Sequence, residues 1–189
     1  MDQKWRITQS ETVLQDRWID VRADHCLTPG GVEISPYYVL SYPEWVHVVA
    51  ITADDHVVLV RQYRHAAGVL TLELPGGALD AADTDIEQAA SRELEEETGF
   101  TAPYWEAITS LHPNPATHTN RVHFFLARDA VLTHRQSLDP GEAGLTVELF
   151  PIQTVLDGLR SGLLDQAAHA SGLLLGLVAA GRLNLTATP

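Results

Sequence analysis

The chain has 189 residues, enough for one domain or one domain with a small appendage. At 45 % hydrophobic and 20 % charged it reads as an ordinary soluble globular protein, and its formal net charge of −13 argues against non-specific binding to nucleic acid or to an anionic membrane. The single cysteine, Cys26, rules out an internal disulfide and fits a reducing cytoplasm. No N-terminal signal with a basic flank and apolar core is visible, and the longest apolar run, Leu173 to Ala180, is too short to span a bilayer.

In chain order, residues 1–43 read as a small β-rich appendage. Thr12-Val13-Leu14 and Trp18 to Arg22 are β-favouring runs, Pro29-Gly30-Gly31 is a turn, and Val32 to Leu40 alternates weakly. So short a segment has too little core to stand alone. Trp18, Tyr37 and Tyr38 are expected in a core, or alternatively as a stacking surface for a purine ring. The main domain, residues 44–189, opens with a strand pair, Val46 to Thr52 and His56 to Tyr63, around the turn Ala53-Asp54-Asp55. Arg61, Arg64 and His65 at its end are nearly the only clustered cations. An arginine grips phosphate through two parallel hydrogen bonds. For Arg61 the phosphate reading stands beside a salt bridge to the acidic helix that follows.

That helix is marked at both ends. Thr84 followed by Glu87 has capping-box spacing, and Gly99 is the residue placed just past a helix end. On a wheel, Ile86, Ala89 and Ala90 define an apolar face. Glu93 and Glu97 fall on that same face, Glu96 at its edge, and Glu95 and Gln88 point to water. Carboxylates on the packed side are costly unless paired or metal-bound, and oxygen-only ligands suit Mg²⁺ or Mn²⁺. The competing account is a solvated acidic face. Further on, Tyr104 to Ser110 and Val122 to Ala127 read as strands flanking a loop, His112 to Arg121. Leu138 to Gly144 reads as a loop, Leu145 to Phe150 as a strand, and Ile152 to Gly162 and Asp165 to Ala180 as helices with apolar stripes. His112, His118 and His123 lack the tight spacing of a second metal site.

Arg92-Glu93-Leu94-Glu95-Glu96-Glu97-Thr98-Gly99-Phe100 resembles the second half of a Nudix box. The first half is one residue longer than the pattern: from Gly77 the usual glutamate is Asp83, or is displaced by Thr84. The run Val60 to His65 with Leu72-Glu73-Leu74-Pro75-Gly76-Gly77 is similar to the ADP-ribose and nucleotide-sugar pyrophosphatase branch. Pro115, 15 residues beyond Phe100, resembles a mark of its ADP-ribose hydrolysing members, and Arg160 to Ala168 is similar to that branch near its C-terminus.

The resemblance implies an α/β/α sandwich with a mixed sheet and a small N-terminal β appendage. It implies metal ligation by Glu93, Glu96, Glu97 and the backbone carbonyl of Gly76, with Arg92 orienting a carboxylate and Glu142 or Glu93 taking the proton from water. Arg64, Arg61, Pro115 and Arg121 are the candidate substrate contacts. The expected reaction is Mg²⁺- or Mn²⁺-dependent hydrolysis of a nucleoside diphosphate derivative, with ADP-ribose going to AMP and ribose 5-phosphate. Another nucleotide sugar such as GDP-mannose, or a sensor that kept the fold without catalysis, are the alternatives. The intact glutamates and the lack of a helix-turn-helix or basic region weigh against the sensor. No phosphate loop or Gly-x-Gly-x-x-Gly fingerprint is present. The expected partners are this small molecule and a second copy of the chain in a cytoplasmic homodimer, its N-terminal segment completing the neighbour's site.

Overall fold

The computed structural model describes residues 3–80 and 82–184. They divide into two compact units, one running to Glu44 and including His112–Arg121, the other formed by Trp45–Leu111 and the chain from Val122.

In the first unit, β1 (Arg6–Gln15), β2 (Asp20–Leu27) and β3 (Glu33–Ser41) form an antiparallel sheet in the order β1-β2-β3. Asp16 shapes the first turn by accepting from the Trp18 and Ile19 amides at 2.7 and 3.0 Å. Gly31, at φ 80°, takes the left-handed position of the second, where a side chain would be strained. The 112–121 loop, expected to belong with the main domain, is instead hydrogen-bonded to β3. The Leu40 amide donates to the Thr117 carbonyl at 2.7 Å, the Thr119 amide donates to the Leu40 carbonyl at 3.1 Å, and the Tyr37 hydroxyl donates to the Ala116 carbonyl.

The expectation of a core around Trp18, Tyr37 and Tyr38 fails for two of the three. Trp18 sits in the β1–β2 turn, 70 % exposed with Arg17 stacked over its ring, and Tyr38 is exposed. Tyr37 alone is half-buried, with Trp5 edge-on to it. All ten residues of β1 face solvent, because nothing within this unit covers that part of the sheet.

The second unit carries β4 (Trp45–Ile51), β5 (His56–Arg64), β6 (Val69–Glu73), α1 (Ile86–Thr98), β7 (Phe100–Thr101), β8 (Tyr104–Leu111), β9 (Val122–Arg128), β10 (Val131–Leu132), β11 (Thr146–Pro151), α2 (Ile152–Leu159) and α3 (Ala167–Ala179). The main sheet runs β11-β5-β4-β9-β8, with β6 also on β5. β4 and β9 are parallel and the other pairs antiparallel, which makes the sheet mixed. Strands and helices fall close to their expected bounds. β6, β7 and β10 are additions to them, because Leu72-Glu73-Leu74 is too short a run to show alternation and the other two are two-residue strands.

β4 is buried on both faces, and its alternate residues feed two cores. Val46, Val48 and Ala50 pack with Ala90, Leu94 and Phe125 beneath α1. Val49 and Ile51 pack with Leu59, Leu126, Val155, Leu173 and Leu177 beneath α2 and α3. This gives the α/β/α layering. β5 pairs with β4 only at Val57 and Val58 and then pairs with β6 from Val60 on. The separation leaves the inner edge of β4 free for the segment after β6: the Val48 amide donates to the Pro75 carbonyl at 2.8 Å and the Val46 amide to the Gly77 carbonyl at 2.9 Å.

α3 meets the sheet at Gly176, where an added Cβ would lie 2.6 Å from Val49 Cγ2. Helix propensity alone makes Gly176→Ala stabilising by about 1 kcal/mol. Overpacking against a stiff, fully buried valine costs about 1–3 kcal/mol. We therefore expect Gly176→Ala to lower the urea midpoint; a rise in the midpoint would show that the layers are not in close contact there.

Candidate active site

α1 begins one residue later than its sequence suggests. Asp85, not Thr84, is the N-cap: its carboxylate accepts from the Glu87 amide at 2.9 Å and the Gln88 amide at 3.4 Å. Ile86 then falls in the open first turn and is exposed rather than part of the apolar face, which Ala89, Ala90 and Leu94 form. The helix ends on Gly99 at φ 75°, whose amide donates to the Glu95 carbonyl at 2.7 Å. Its last carbonyls are satisfied by the following segment, with Gln136 Nε2 donating to Glu97 and the Ser137 amide to Glu96.

Within this frame Glu93 is 7 % and Glu97 4 % exposed, on the packed face. Burial pushes the Glu97 carboxyl up to about 8, against the pull of the Gly76 amide and with the Glu142 and Glu93 charges adding to the rise. Burial likewise raises Glu93 to about 7, against Arg92 and with help from Glu96 and Glu142. Glu97 Oε2 accepts from the Gly76 amide at 2.8 Å, and Glu97 has no ion pair among the described residues. Gly76 has room for nothing larger. At φ 152° its Cβ would run into the Val46 carbonyl and come within 2.9 Å of His47. At Gly77 a Cβ would meet the Glu93 carboxylate at 2.6 Å.

Arg92 gathers the remaining acids. Its Nη1 lies 2.9 Å from both Glu93 Oε1 and Glu96 Oε2, and its Nη2 lies 3.2 Å from Asp83 Oδ2. The longer loop before the helix thus delivers Asp83 to Arg92 and leaves Thr84 exposed.

The other candidates are placed as follows. Arg64, at the end of β5, sets Nε at 2.8 Å and Nη2 against the two oxygens of Glu73, a carboxylate only 1 % exposed. Its positive charge is felt by Glu97, and its own environment includes Glu97 and Glu142. Arg61 pairs through Nε and Nη2 with Glu148 on β11, not with the acidic helix. Glu142 ends a 3-10 turn, Pro140–Glu142, where its Oε2 accepts from the Asp139 amide at 2.9 Å. Pro115 and Arg121 lie in the first unit, Arg121 with Nη1 2.9 Å from His112 Nε2.

Three polar residues near this constellation escape a reading of the sequence. Glu73, His47 and His169 are all buried and mutually close, with the two imidazoles 4.2 Å apart. A charge inside Leu72-Glu73-Leu74 and a histidine inside Val46-His47-Val48 are the available signals: polar residues in apolar strand runs.

A hard divalent cation fits this donor set. The carboxylates are buried beyond what Arg92 neutralises, and an all-oxygen site is what such ions take. Among the described residues no three His, Cys, Asp or Glu side chains are gathered into a closed metal cage. Mg²⁺ needs none, since it binds one or two carboxylates and keeps waters and substrate oxygens for the rest.

A family model of the Nudix domain matches residues 42–169. The chain belongs to the Nudix hydrolase family. Residues 5–40 of this Nudix hydrolase match the N-terminal domain of nucleoside diphosphate sugar hydrolases. It is 32 % identical over 133 residues to an ADP-ribose pyrophosphatase of Bacillus subtilis, covering 70 % of this chain and 71 % of that protein. It is 30 % identical over 173 residues to an ADP-ribose pyrophosphatase of Mycobacterium tuberculosis, covering 91 % and 83 %. A crystal structure of an ADP compounds hydrolase superposes with a TM-score of 0.82 at 27 % identity, over 96 % of this chain and 98 % of the other.

The buried glutamates of the Nudix helix set a pH dependence. A carboxyl whose folded-state pKa lies above its unfolded value of 4.5 contributes stability that is complete below pH 4.5 and lost as pH rises through about 8. In chelator, Glu97→Gln should therefore be more stable than wild type at pH 9 by at least about 1.4 kcal/mol, a tenfold change in the folding equilibrium. At pH 4 the gap should close. Urea titrations at the two pH values check this, and an equal gap at both would show that Glu97 is not destabilised by its charge.

Proposed function

We propose that this Nudix hydrolase cleaves the pyrophosphate bond of a nucleoside diphosphate joined to a second moiety, with ADP-ribose yielding AMP and ribose 5-phosphate as the leading substrate. The observation that carries the reading is the buried pair Glu93 and Glu97, raised in pKa and pointed at the Gly76 turn. The names of the two bacterial relatives support ADP-ribose. The match over residues 5–40 favours a second reading, another nucleotide sugar such as GDP-mannose.

Glu93, Glu96, Glu97 and the Gly76 carbonyl would hold Mg²⁺ or Mn²⁺. Such an ion neutralises phosphate charge and lowers the pKa of a water nucleophile. Arg92 orients Glu93 and Glu96. Glu142 or Glu93 accepts the proton from the attacking water. Arg64 turns its unpaired edge to a substrate phosphate, while Arg61 is committed to Glu148. Pro115 and Arg121, in the loop bonded to β3, are the further candidate contacts to the substrate.

The proposal includes a homodimer. An all-exposed β1 with Trp5, Ile7, Val13, Leu14 and Trp18 uncovered is apolar surface of the kind a partner covers. No helix among the described residues is long and apolar enough to cross a membrane.

A screen of nucleoside diphosphate derivatives with Mg²⁺, Mn²⁺ or chelator, with products identified by mass, tests the reaction. Glu97→Gln should lower turnover at least about a hundredfold, since a ligand charge that stabilises the transition state is lost. Undiminished activity in excess chelator would sink the metal reading. Light scattering at micromolar concentration should give twice the chain mass; the mass of one chain would refute the dimer.

A further inference from the structure

Arg64 grips Glu73 through Nε and Nη2, so the fork that an arginine offers to a phosphate is half occupied. Among the described residues nothing bonds Nη1, on a side chain 45 % exposed. The pair is thus a mount for the guanidinium, with one edge held and one presented. What lies behind it is unusual for a core. Glu73 accepts from Thr71 Oγ1, and its Oε2 lies 3.2 Å from His169 Nε2 on α3, a contact short of hydrogen-bond alignment. Burial alone would raise the Glu73 carboxyl. The Arg64, His169 and Thr71 groups outweigh it and hold the carboxyl well below the usual carboxylate range.

His169 has one tautomer available. The Leu74 amide donates to its Nδ1 at 3.1 Å, which leaves the proton on Nε2, the nitrogen turned to Glu73. Its ring lies 4.2 Å from that of His47, and His47 fills the space beside Gly76 that a side chain there would need. One buried imidazole therefore touches the backbone two residues before Gly76, the carboxylate that holds Arg64, and the ring under the Gly76 turn.

A buried ion pair is weak evidence for stability, since apolar replacements of such pairs are often neutral or better. What this cluster supplies is a fixed guanidinium. Ordering a long side chain on binding weakens affinity by about threefold to tenfold, and an arginine held in advance escapes that penalty.

We propose that His169 is a positioning residue: acting through Glu73, it holds the Arg64 guanidinium in the orientation that receives the substrate phosphate. The inference rests on the reading above that Arg64 contacts phosphate. His169→Phe should raise KM for ADP-ribose about threefold to tenfold with kcat changed far less, the cost of one side chain ordered on binding. His169→Gln, which can accept from the Leu74 amide and donate to Glu73, should recover much of the loss. The decisive measurement is the same substitution in an Arg64→Lys background, where it should change KM less than about twofold, because interacting sites are not additive. Should His169→Phe fail to fold, Glu73→Gln, nearly isosteric, takes its place in the cycle with the same expectations.

Calorimetric binding of α,β-methylene-ADP with Mg²⁺ gives the same comparison without turnover. A folded His169→Phe with wild-type KM, or one whose effect persists in full beside Arg64→Lys, would overturn the inference and leave His169 as core packing. Wild-type KM in Arg64→Lys alone would instead sink the phosphate reading on which it stands.

Discussion

A carboxylate buried on the packed face of a helix, with a backbone amide for its partner and no ion pair among the described residues, is the constraint on which this molecule depends. Glu97 is that group, and its place follows from three local facts. The heptad-like spacing of Ala90, Leu94 and Glu97 puts it inside. The left-handed stop at Gly99 and the Gln136 and Ser137 bonds fix the end of α1 just beyond it. The Pro75–Gly77 segment, hydrogen-bonded along β4, brings the Gly76 amide to it. Each condition constrains the others. β5 must leave β4 after Val58 for that segment to lie where it does, and Gly76 must lack a side chain because β4 already occupies the space.

The charges of the second unit are arranged around the same fact. A chain of net charge −13 would be expected to spread its repulsion widely. Instead most arginines of this unit are committed to nearby acids: Arg61 to Glu148, Arg64 to Glu73, Arg92 to Asp83, Glu93 and Glu96, Arg128 to Glu106, and Arg182 to Asp55. Most of these pairs are half-exposed and contribute little to stability. Their consequence is local. With Arg64 held by Glu73 and Arg92 shared among Asp83, Glu93 and Glu96, Glu97 is left without an ion pair among the described residues.

Much of this was legible in the sequence, for a definable reason. Helical periodicity places side chains without knowledge of tertiary contacts, so Glu93 and Glu97 inside, and Glu95 and Gln88 outside, could be read from spacing alone. The layers were expected from the resemblance to the Nudix box, while the apolar runs located the strands β4, β5 and β9 themselves. Cap geometry was less secure. Thr84 and Asp85 both have capping side chains, and only the backbone turn decides between them. Trp18 and Tyr38 were misplaced because aromatic character predicts burial in some assembly, not in the single chain. The bonding of the 112–121 loop to β3 joins segments some 75 residues apart, and no local signal carries that. The partners of Arg64 and Arg61 were unreadable for the same reason: Glu73 and Glu148 reach them through strand register.

β4 shows why the two faces of this sheet are not independent. Val46, Val48 and Ala50 hold α1, and the residues between them, His47 and Val49, meet α3. His47 is the polar member of that second set, and its neighbour on the strand, Val46, bonds the Gly77 carbonyl on the inner edge. A strand that is buried on both sides transmits shape because it cannot yield toward either. Repacking around His169 on α3 must therefore be absorbed by His47, by Phe124 beside it, or by the Gly76 turn that His47 rests against. Of these, the turn is the one that is not a strand residue locked between two layers. The helix with the fewest charges in the molecule, which carries none of the Nudix box, is in this way tied to the geometry of the carboxylates on the opposite face.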